Sequence, residues 1–359
     1  MSNRKRVTMK DVAAAIGVHQ TTVSLAMRNH SSIPRKTRDF IHEKAREMGY
    51  VPDPMLSSLV AYRQMSQASK APPTIGYIMD LKDEAHLEQI QARLLFCRSA
   101  KERAAELGFK LEVFFYGSGN YNSKSLDRIL RTRRINGLIV AAFTHKTDLE
   151  LSWDSFSVIK IEMLPFNLRF DVVESNQMQA TRLAMEKMYE KGYRRVGMVI
   201  GKHDEVHTRN LFSAGFLVGQ TMFEPEDRVP LNVIEGKNLD EELADIIDWL
   251  RTHRVETLIT NWNELVPYMP RINKTLGREI LFVSLDIDHF DPRAMGVMQN
   301  HEAVGRTAVD RLTGLMRNNE CGMVDCPTIH LVDSLWHEPG KAPFEDPRIG
   351  RRAAASARA

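Results

Sequence analysis

The stretch VTMKDVAAAIGVHQTTVSLAMRNHSSIPRKTRDFIHEKAREMGYVP, residues 7–52, contains three short helical patterns in close succession. Thr8 is placed to cap the first helix, with Asp11 three residues later as in a capping box, and Gly17 is placed to end it. A second pattern follows after a tight turn, and Pro34 suits the first turn of a third. These signals predict a small, all-α unit.

Each of the three patterns has an apolar face at helical spacing. The residues expected to face the core are Val12, Ala15, Ile16, Val23, Ala26, Met27, Phe40, Ile41, Ala45 and Met48. On the second pattern, Gln20, Thr21, Ser24 and Arg28 face elsewhere. The second helix is therefore expected to show a polar face outside the core of the unit.

The same unit is basic. Residues 1–50 carry a net charge of +6, whereas the remaining residues carry −3. Each Lys or Arg that approaches a phosphate releases condensed counterions, so a polyanion such as nucleic acid is the expected partner. The alternative is a solvated charged face with no partner.

The composition sets the broad class of the chain. Its 359 residues exceed one core of ordinary size, and 43% hydrophobic with 26% charged residues are typical of globular domains. No apolar run approaches the length of a membrane span, and the first residues lack an apolar signal core. Cys97, Cys321 and Cys326 are expected to be reduced thiols, so we expect a cytoplasmic protein, nucleoid-associated when bound to DNA.

From residue 74 onward the pattern alternates between strands and helices. The predicted strands are TIGYIMD, LEVFFYG, INGLIVAAF, FSVIKIE, RRVGMVIG, LITNW and ILFVSLD, with amphipathic stretches such as 88–107 and 176–191 between them. Such alternation is typical of parallel sheets covered by helices, and seven or more strands suit two sheets. Residues 65–73 have the composition of a linker, and the tail after 340 is expected to be disordered.

The segments TMKDVAAAIGVHQTTVSLAMR and IPRKTRDFIHEKAREMGYVP closely resemble the helix-turn-helix headpiece of the LacI/GalR transcriptional regulators. A helix-turn-helix places its second helix in the major groove of DNA. The resemblance implies base contacts from Gln20, Thr21 and Leu25, and phosphate contacts from Thr8, Thr22, Ser24 and Thr37. Arg28 is expected to contact guanine or another phosphate.

Two residues of the headpiece depart from the family pattern. His19 stands where a serine is usual, and we expect it to be a weaker helix cap. Leu25 stands where a polar or basic residue is usual; it gives up a directional hydrogen bond but can pack a thymine methyl.

The segment YVPDPMLSSLVAYRQ resembles the hinge helix of the family, which orders on DNA and inserts a leucine into the minor groove. The register from Tyr50 and Pro52 places Leu59 at that position. Ser57 and Ser58 are small enough to let two hinge helices approach closely. The resemblance thus implies a homodimer on a pseudo-palindromic duplex, because a paired wedge needs a second subunit.

The body resembles the family's effector domain, which is similar to periplasmic sugar-binding proteins and has two Rossmann-like lobes with the ligand between them. The matching segments are DVVESNQMQATRLAMEKMYEKGYRRVGMVIG, SAGF and VMQNHEAVGRTAVDRL. By resemblance, the expected effector-binding residues are His86, Glu162, Phe212, Asn263, Glu264 and Asp286. Phe212 replaces the family's arginine, so we expect a ring-containing, neutral ligand rather than an anion.

The sequence therefore predicts a multidomain fold: an all-α helix-turn-helix headpiece (1–52), a hinge helix and linker (53–73), a two-lobed α/β effector and dimerisation domain (74–340) and a tail (341–359). The predicted function is a DNA-binding regulator, a repressor controlled by a small molecule, most simply a neutral sugar. The alternatives are a regulator without an effector, acting through dimerisation or a protein partner, and, more remotely, an enzyme on a Rossmann-like body. No nucleotide fingerprint, catalytic cluster or metal-ligand pattern occurs, so neither a cofactor nor a metal is expected.

The hinge assignment can be tested at Leu59. Leu59→Ala should leave thermal unfolding unchanged and weaken specific DNA binding by roughly 1–3 kcal/mol, because the minor-groove wedge is lost. Fluorescence anisotropy with a labelled duplex measures the affinity, and a variant that binds as tightly as the unsubstituted chain would show that the hinge register is wrong.

Overall fold

A computed structural model describes residues 7–27, 32–50, 72–141, 143, 149–163, 168–235, 238–287 and 295–339. Contacts between residues divide the chain into two compact units. Of the described residues, the first unit holds those up to Ile161, residues 168–172 and Gly305–Thr328; the second holds Glu162, Met163, Val173–Val304 and residues 329–339. Within the described ranges, no helix is long and apolar enough to cross a membrane.

The headpiece has three helices: α1 (Met9–Ile16), α2 (Gln20–Met27) and α3 (Arg35–Glu47). Thr8 and Asp11 form the predicted capping box, in which the Thr8 backbone N–H donates to the Asp11 carboxylate at 2.8 Å. Gly17 ends α1 in the left-handed conformation, with φ of 68°. The expected capping signals of this unit are therefore present.

One apolar cluster holds the three helices together. Its buried members are Val12, Ala13, Val23, Ala26, Ile41 and Ala45. Two of the predicted core positions are wrong. Phe40 is 48% exposed. Ala15 is exposed, whereas Ala13 is buried. The buried face of each helix is narrower than the set of apolar residues at helical spacing from which it was predicted.

The first sheet has six strands in the order β11-β5-β4-β3-β1-β2. Their bounds are β1 Thr74–Met79, β2 Lys110–Phe115, β3 Gly137–Ala141, β4 Ser157–Ile161, β5 Val172–Ser175 and β11 Ile329–Val332. β1 pairs in parallel with both β2 and β3, and β3 with β4. The accompanying helices are α4 (Glu84–Glu88), α5 (Gln91–Glu106) and α6 (Ser123–Thr132).

The second sheet also has six strands, in the order β12-β10-β9-β8-β6-β7. Their bounds are β6 Val196–Gly201, β7 Asn232–Ile234, β8 Thr257–Thr260, β9 Leu281–Ser284, β10 Gly296–Met298 and β12 Leu335–His337. The strands pair in parallel except for the edge strand β12, which is antiparallel to β10. The remaining helices are α7 (Gln177–Glu190), α8 (Lys202–His207), α9 (Leu211–Gly219), α10 (Leu239–Thr252), α11 (Met269–Leu276) and α12 (His301–Asn318).

In each sheet, successive strands are added first on one side of the starting strand and then on the other, so the strand order reverses direction there. In the first sheet β1 lies between β2 and β3, and in the second β6 lies between β7 and β8. In open parallel sheets of this kind, ligands bind outside the carboxyl ends of the strands where the strand order reverses. The fold therefore directs attention to the loops that follow β6 and β8.

All seven predicted strands are present, and the two helical stretches predicted at 88–107 and 176–191 correspond to α5 and α7. Five strands of the described ranges were not predicted, namely β5, β7, β10, β11 and β12, each of three or four residues. Strands this short carry too few residues to show a period; β8 and β9, also of four residues, were predicted because they lie within longer β-rich runs.

Two helix glycines separate the effect of packing from that of helix propensity. A Cβ at Gly215 in α9 would overlap the Met178 carbonyl oxygen of α7, whereas a Cβ at Gly314 in α12 would have no neighbour within 4 Å. Both substitutions to alanine gain similar helix propensity, about 1 kcal/mol. Gly215→Ala should lower the melting temperature in calorimetry and Gly314→Ala should not; equal effects would show that α9 and α7 are not tightly packed.

Candidate DNA-binding and effector sites

The exposed face of α2 carries the residues predicted to read DNA. Gln20 and Thr21 are exposed, and Thr22, Ser24 and Leu25 are partly exposed. Leu25 lies outside the apolar cluster that holds the three helices, so its side chain is available on the surface. On α3, Thr37 is exposed, as is the α1 cap Thr8.

The side chain of His19 caps α2, and the expectation that it is a weaker cap than serine stays a prediction. Its Nδ1 accepts a hydrogen bond from the Thr21 backbone N–H at 3.3 Å and lies 2.5 Å from the Thr21 hydroxyl. A side-chain acceptor at this position satisfies one of the free N–H groups at the start of a helix. The cap also fixes the orientation of Thr21, one of the predicted base readers.

A second histidine ties α2 to the helix that supports it. The Nε2 of His42 in α3 lies 3.0 Å from the carbonyl oxygen of Ala26, near the end of α2. This contact and the shared core fix the direction in which α2 points its polar face. His19 was predicted to cap α2, whereas the His42 contact was not predicted, because it joins residues sixteen positions apart in the sequence.

Two of the predicted DNA contacts, Arg28 and Leu59, lie outside the described residues. They stay predictions. Of the predicted hinge helix and linker (53–73), residues 53–71 also lie outside the described residues.

Of the predicted effector-binding residues, His86 belongs to the first unit. It lies in α4, shortly after the carboxyl end of β1, and it is partly exposed. Its backbone N–H donates to the Asp83 carboxylate at 2.9 Å, which caps this short helix. The position after β1 agrees with the general rule for ligand loops, and a role in binding stays a prediction.

In the second unit the structure brings two of the predicted residues together. The Nδ2 group of Asn263 donates to the backbone oxygen of Asp286 at 2.8 Å. The Asp286 carboxylate contacts Nε2 of His301 at 3.0 and 3.2 Å, and 31% of the Asp286 side chain stays accessible, so its role toward ligand hydroxyls stays a prediction. Glu264 is exposed, and Glu162 has a left-handed backbone with φ of 61° just after β4.

The packing of Phe212 does not support the stacking role that we expected from the sequence. Its side chain is 3% exposed and belongs to the buried apolar cluster that includes Phe216, Val283 and Leu285. The ring thus fills space between α9 and the second sheet. A phenylalanine in this position is explained by core packing.

The arginine usual in the family is absent at position 212, but another arginine, Arg209, lies three residues earlier in the sequence. Arg209, with φ of 54°, makes a close ion pair with the buried carboxylate of Glu174 at the end of β5. The guanidinium is partly exposed, with 36% of the side chain accessible. This arginine was not predicted from the sequence, because it lies three positions away from the family position.

A polar cluster occupies the reversal point of the second sheet, between β6 and β8. Asp204 in α8 follows β6, and its Oδ2 accepts hydrogen bonds from the Nδ2 group of Asn261 at 3.0 Å and the indole Nε1 of Trp262 at 2.6 Å, both after β8. Gly201 permits this approach, since a Cβ there would overlap the Trp262 ring. This cluster matches the place where parallel sheets bind ligands.

The pKa of His301 is raised above its ordinary value. Burial is the largest single influence and lowers this pKa, but the charge and the hydrogen bond of Asp286, with the charge of Glu162, outweigh the effect of burial.

Burial raises the pKa of the Cys97 thiol to about 11, so this thiol is protonated and inert at neutral pH. Cys97, Cys321 and Cys326 are free cysteines in this structure.

Across the described part of the chain, no group of three or more His, Cys, Asp or Glu side chains is arranged to hold a metal ion. The rings of His203 and His207 in α8 lie side by side, with centroids 4.0 Å apart and planes tilted by 42°.

The His301–Asp286 pair has a defined pH dependence. Because the folded-state pKa of His301 is raised, its contribution to stability is fully present below the unfolded value of about 6.5 and is lost as the pH rises through the folded value. The difference in melting temperature between the unsubstituted chain and His301→Gln should therefore shrink from about pH 6.5 upward. Asp286→Asn should abolish that trend, and a difference that grows with pH would contradict the pairing.

Known proteins resemble both the headpiece and the α/β part of the chain. Residues 8–53 match the family described as bacterial regulatory proteins, lacI family. The HTH-type transcriptional repressor CytR of Escherichia coli strain K12 is 24% identical over 200 residues, which cover 55% of this chain and 54% of CytR. The repressor PurR of Haemophilus influenzae strain Rd is 23% identical over 236 residues, which cover 61% of this chain and 66% of PurR. The matches thus span between half and two thirds of these curated relatives.

Solved structures share the fold over most of the chain. A transcriptional regulator CelR–cellobiose complex superposes with a TM-score of 0.54 at 17% identity, covering 93% of this chain and all of that one. A lac repressor dimer bound to operator and the anti-inducer ONPF gives 0.51 at 18% identity, covering 93% and 98%. Residues 8–53 therefore belong to the lacI family of bacterial regulatory proteins, and the body that follows them has the fold of LacI-type transcriptional regulators.

Proposed function

We propose that this protein is a sequence-specific DNA-binding transcriptional regulator, acting as a repressor. The observation that carries the proposal is the exposed face of α2, where Gln20, Thr21 and Leu25 stand beside one another outside the core. Gln can bond adenine through two hydrogen bonds, and Thr and Leu can pack a thymine methyl. The relatives CytR and PurR, both HTH-type transcriptional repressors, support this direction of regulation.

The regulator acts as a homodimer in the cytoplasm. Two basic headpieces reach two half-sites of a pseudo-palindromic operator, and each headpiece supplies phosphate contacts through Thr8, Thr22, Ser24 and Thr37. The basic surplus of residues 1–50 supports this arrangement, because phosphate neutralisation provides much of the affinity.

A small-molecule effector controls DNA binding. An effector that prefers one arrangement of the protein shifts the population between a form that binds operator and one that does not. The second unit offers Arg209, Asp204 and Trp262 after the strands β6 and β8, and the similarity to a regulator in complex with cellobiose supports a sugar. We assign the effector to the sugars without an anionic group, since carboxylates outnumber guanidinium groups in this region.

A regulator without an effector is the second candidate. It is favoured by two observations, the burial of Phe212 in the core and the engagement of the Asp286 carboxylate by His301. Burial removes the Phe212 ring from ligand contact, and His301 occupies part of the accepting capacity of the Asp286 carboxylate. Titration of the protein with sugars distinguishes the two candidates.

DNA selection tests the proposed function directly. Bound duplexes recovered from a random-sequence pool should converge on an inverted repeat, and the protein should bind it as two chains per duplex. Affinity should fall by a factor of about 10³–10⁵ between about 50 and 200 mM salt if about six to ten phosphates are contacted. No enrichment, or binding by one chain with a flat salt response, would overturn the proposal.

A further inference from the structure

The predicted linker from the headpiece joins the α/β part of the chain at one edge of the first sheet. β1 begins at Thr74, and the backbone N–H of Lys110 donates to the carbonyl oxygen of Pro73 at 2.9 Å. In the parallel register Thr74 lies opposite Lys110, and Gly137, the first residue of β3, lies one position further along β1. The chain therefore enters the sheet where the amino ends of β2, β1 and β3 lie side by side.

Positively charged side chains lie at this edge. Lys110 is the first residue of β2 and is exposed, and because strand side chains alternate it shares a face of the sheet with Glu112. The Glu112 carboxylate forms an ion pair with Arg133, just after α6. This contact places the end of α6 beside Lys110. The next residue, Arg134, is exposed and stands three positions before β3.

Two further arginines extend the positive surface. Arg131, in the last turn of α6, has a side chain 60% exposed and lies 3.8 Å from the Asp127 carboxylate, which is a long ion pair. At β3, the side chain of Met316 lies against Gly137, and the residue after it, Arg317, is exposed near the end of α12. We call these four cations the basic edge: Lys110, Arg131, Arg134 and Arg317.

Little negative charge offsets the basic edge. Within the described ranges, no carboxylate forms an ion pair with Lys110, Arg134 or Arg317. Glu106, near the end of α5, is engaged by two other arginines, Arg103 and Arg306. Three acidic residues lie by β4 and β5, which are beyond β3 from the linker: Asp154, Asp171 and Glu320. Exposed cations without partners are suited to a polyanion.

We propose that the basic edge contacts the phosphate backbone of the duplex that the headpiece binds. This inference rests on the proposed function, and it adds a DNA contact from the α/β part of the chain. Because the linker ties the headpiece to this edge, a duplex held by the headpiece is the polyanion at the highest local concentration there. Phosphate contacts carry no sequence information, so the basic edge adds affinity and leaves the choice of bases to α2.

Two matched variants of the full chain test the inference on the selected duplex. The edge variant carries Lys110→Gln with Arg134→Asn, where asparagine suits the left-handed backbone of position 134, with φ of 56°. The control variant carries Lys82→Gln with Lys124→Gln. It removes the same charge from exposed positions of the same unit, after the carboxyl end of β1 and at the start of α6.

Each lost phosphate contact makes the fall of log affinity with log salt less steep by about 0.9. For the edge variant we expect a slope less steep by about 2, so the advantage of the unsubstituted chain should shrink about tenfold between about 50 and 200 mM salt. The ratio of affinities for the selected and an unrelated duplex should stay the same. The control variant should keep the original slope. An unchanged slope for the edge variant, or equal changes in both variants, would overturn the inference.

Both variants should unfold at the temperature of the unsubstituted chain, because the replaced side chains are exposed. If the edge variant is unstable, Lys110→Gln and Arg134→Asn are measured singly, and each should change the slope by about 1.

The outcome for the basic edge is separate from that for the proposed function. If the edge variant binds the selected duplex with the slope of the unsubstituted chain, the inference fails and the regulator remains. If selection enriches no duplex, the proposed function fails. The same variants on an unrelated duplex then decide the inference, because phosphate contacts do not depend on sequence.

Discussion

The packing of Val23 and Ala26 against Ile41 is the contact on which the DNA-binding surface depends. These side chains are fully buried and belong to the apolar cluster that joins α1, α2 and α3. The unit is small, and truncating one buried aliphatic side chain of this kind costs about 2–5 kcal/mol. Because the core fixes which side of α2 faces outward, it also selects the residues that can reach bases.

The two α/β sheets that follow the headpiece depend on a different constraint, the connection between parallel strands. Parallel strands must be joined by helices that cross back over the sheet, so every carboxyl end is followed by a loop at the same edge. The reversal of strand order at β6 leaves a gap between the loops after β6 and β8, and there Asp204 contacts Asn261 and Trp262. The polar cluster is thus a consequence of topology combined with a glycine at position 201.

The sequence was informative where local chemistry decides structure. The Thr8–Asp11 capping box, the left-handed Gly17 and seven strands were predicted because caps, turns and apolar runs act over a few residues. Phe40 and Ala15 were misassigned since an apolar pattern marks a face but not its width. The contacts of the proposed effector residues could be predicted only in part, because they join residues distant in sequence. Asp286 was identified but its partner His301 was not, and the ring of Phe212 proved to be core.

The positions after β8 show why the rest of the candidate site escaped prediction. Asn263 and Glu264 were chosen there, whereas the residues that reach Asp204 are the preceding Asn261 and Trp262. A shift of two positions after a strand is invisible unless the end of the strand is known, and the structure places that end at Thr260.

Base reading by the exposed face of α2 is the claim on which the proposed function depends. The most direct measurement compares Gln20→Ala with the unsubstituted chain on the selected duplex and on an unrelated duplex at one salt concentration. We expect Gln20→Ala to weaken binding to the selected duplex by about 1–3 kcal/mol and to leave binding to the unrelated duplex unchanged. Equal loss on both duplexes, or no loss on either, would contradict base reading by this face.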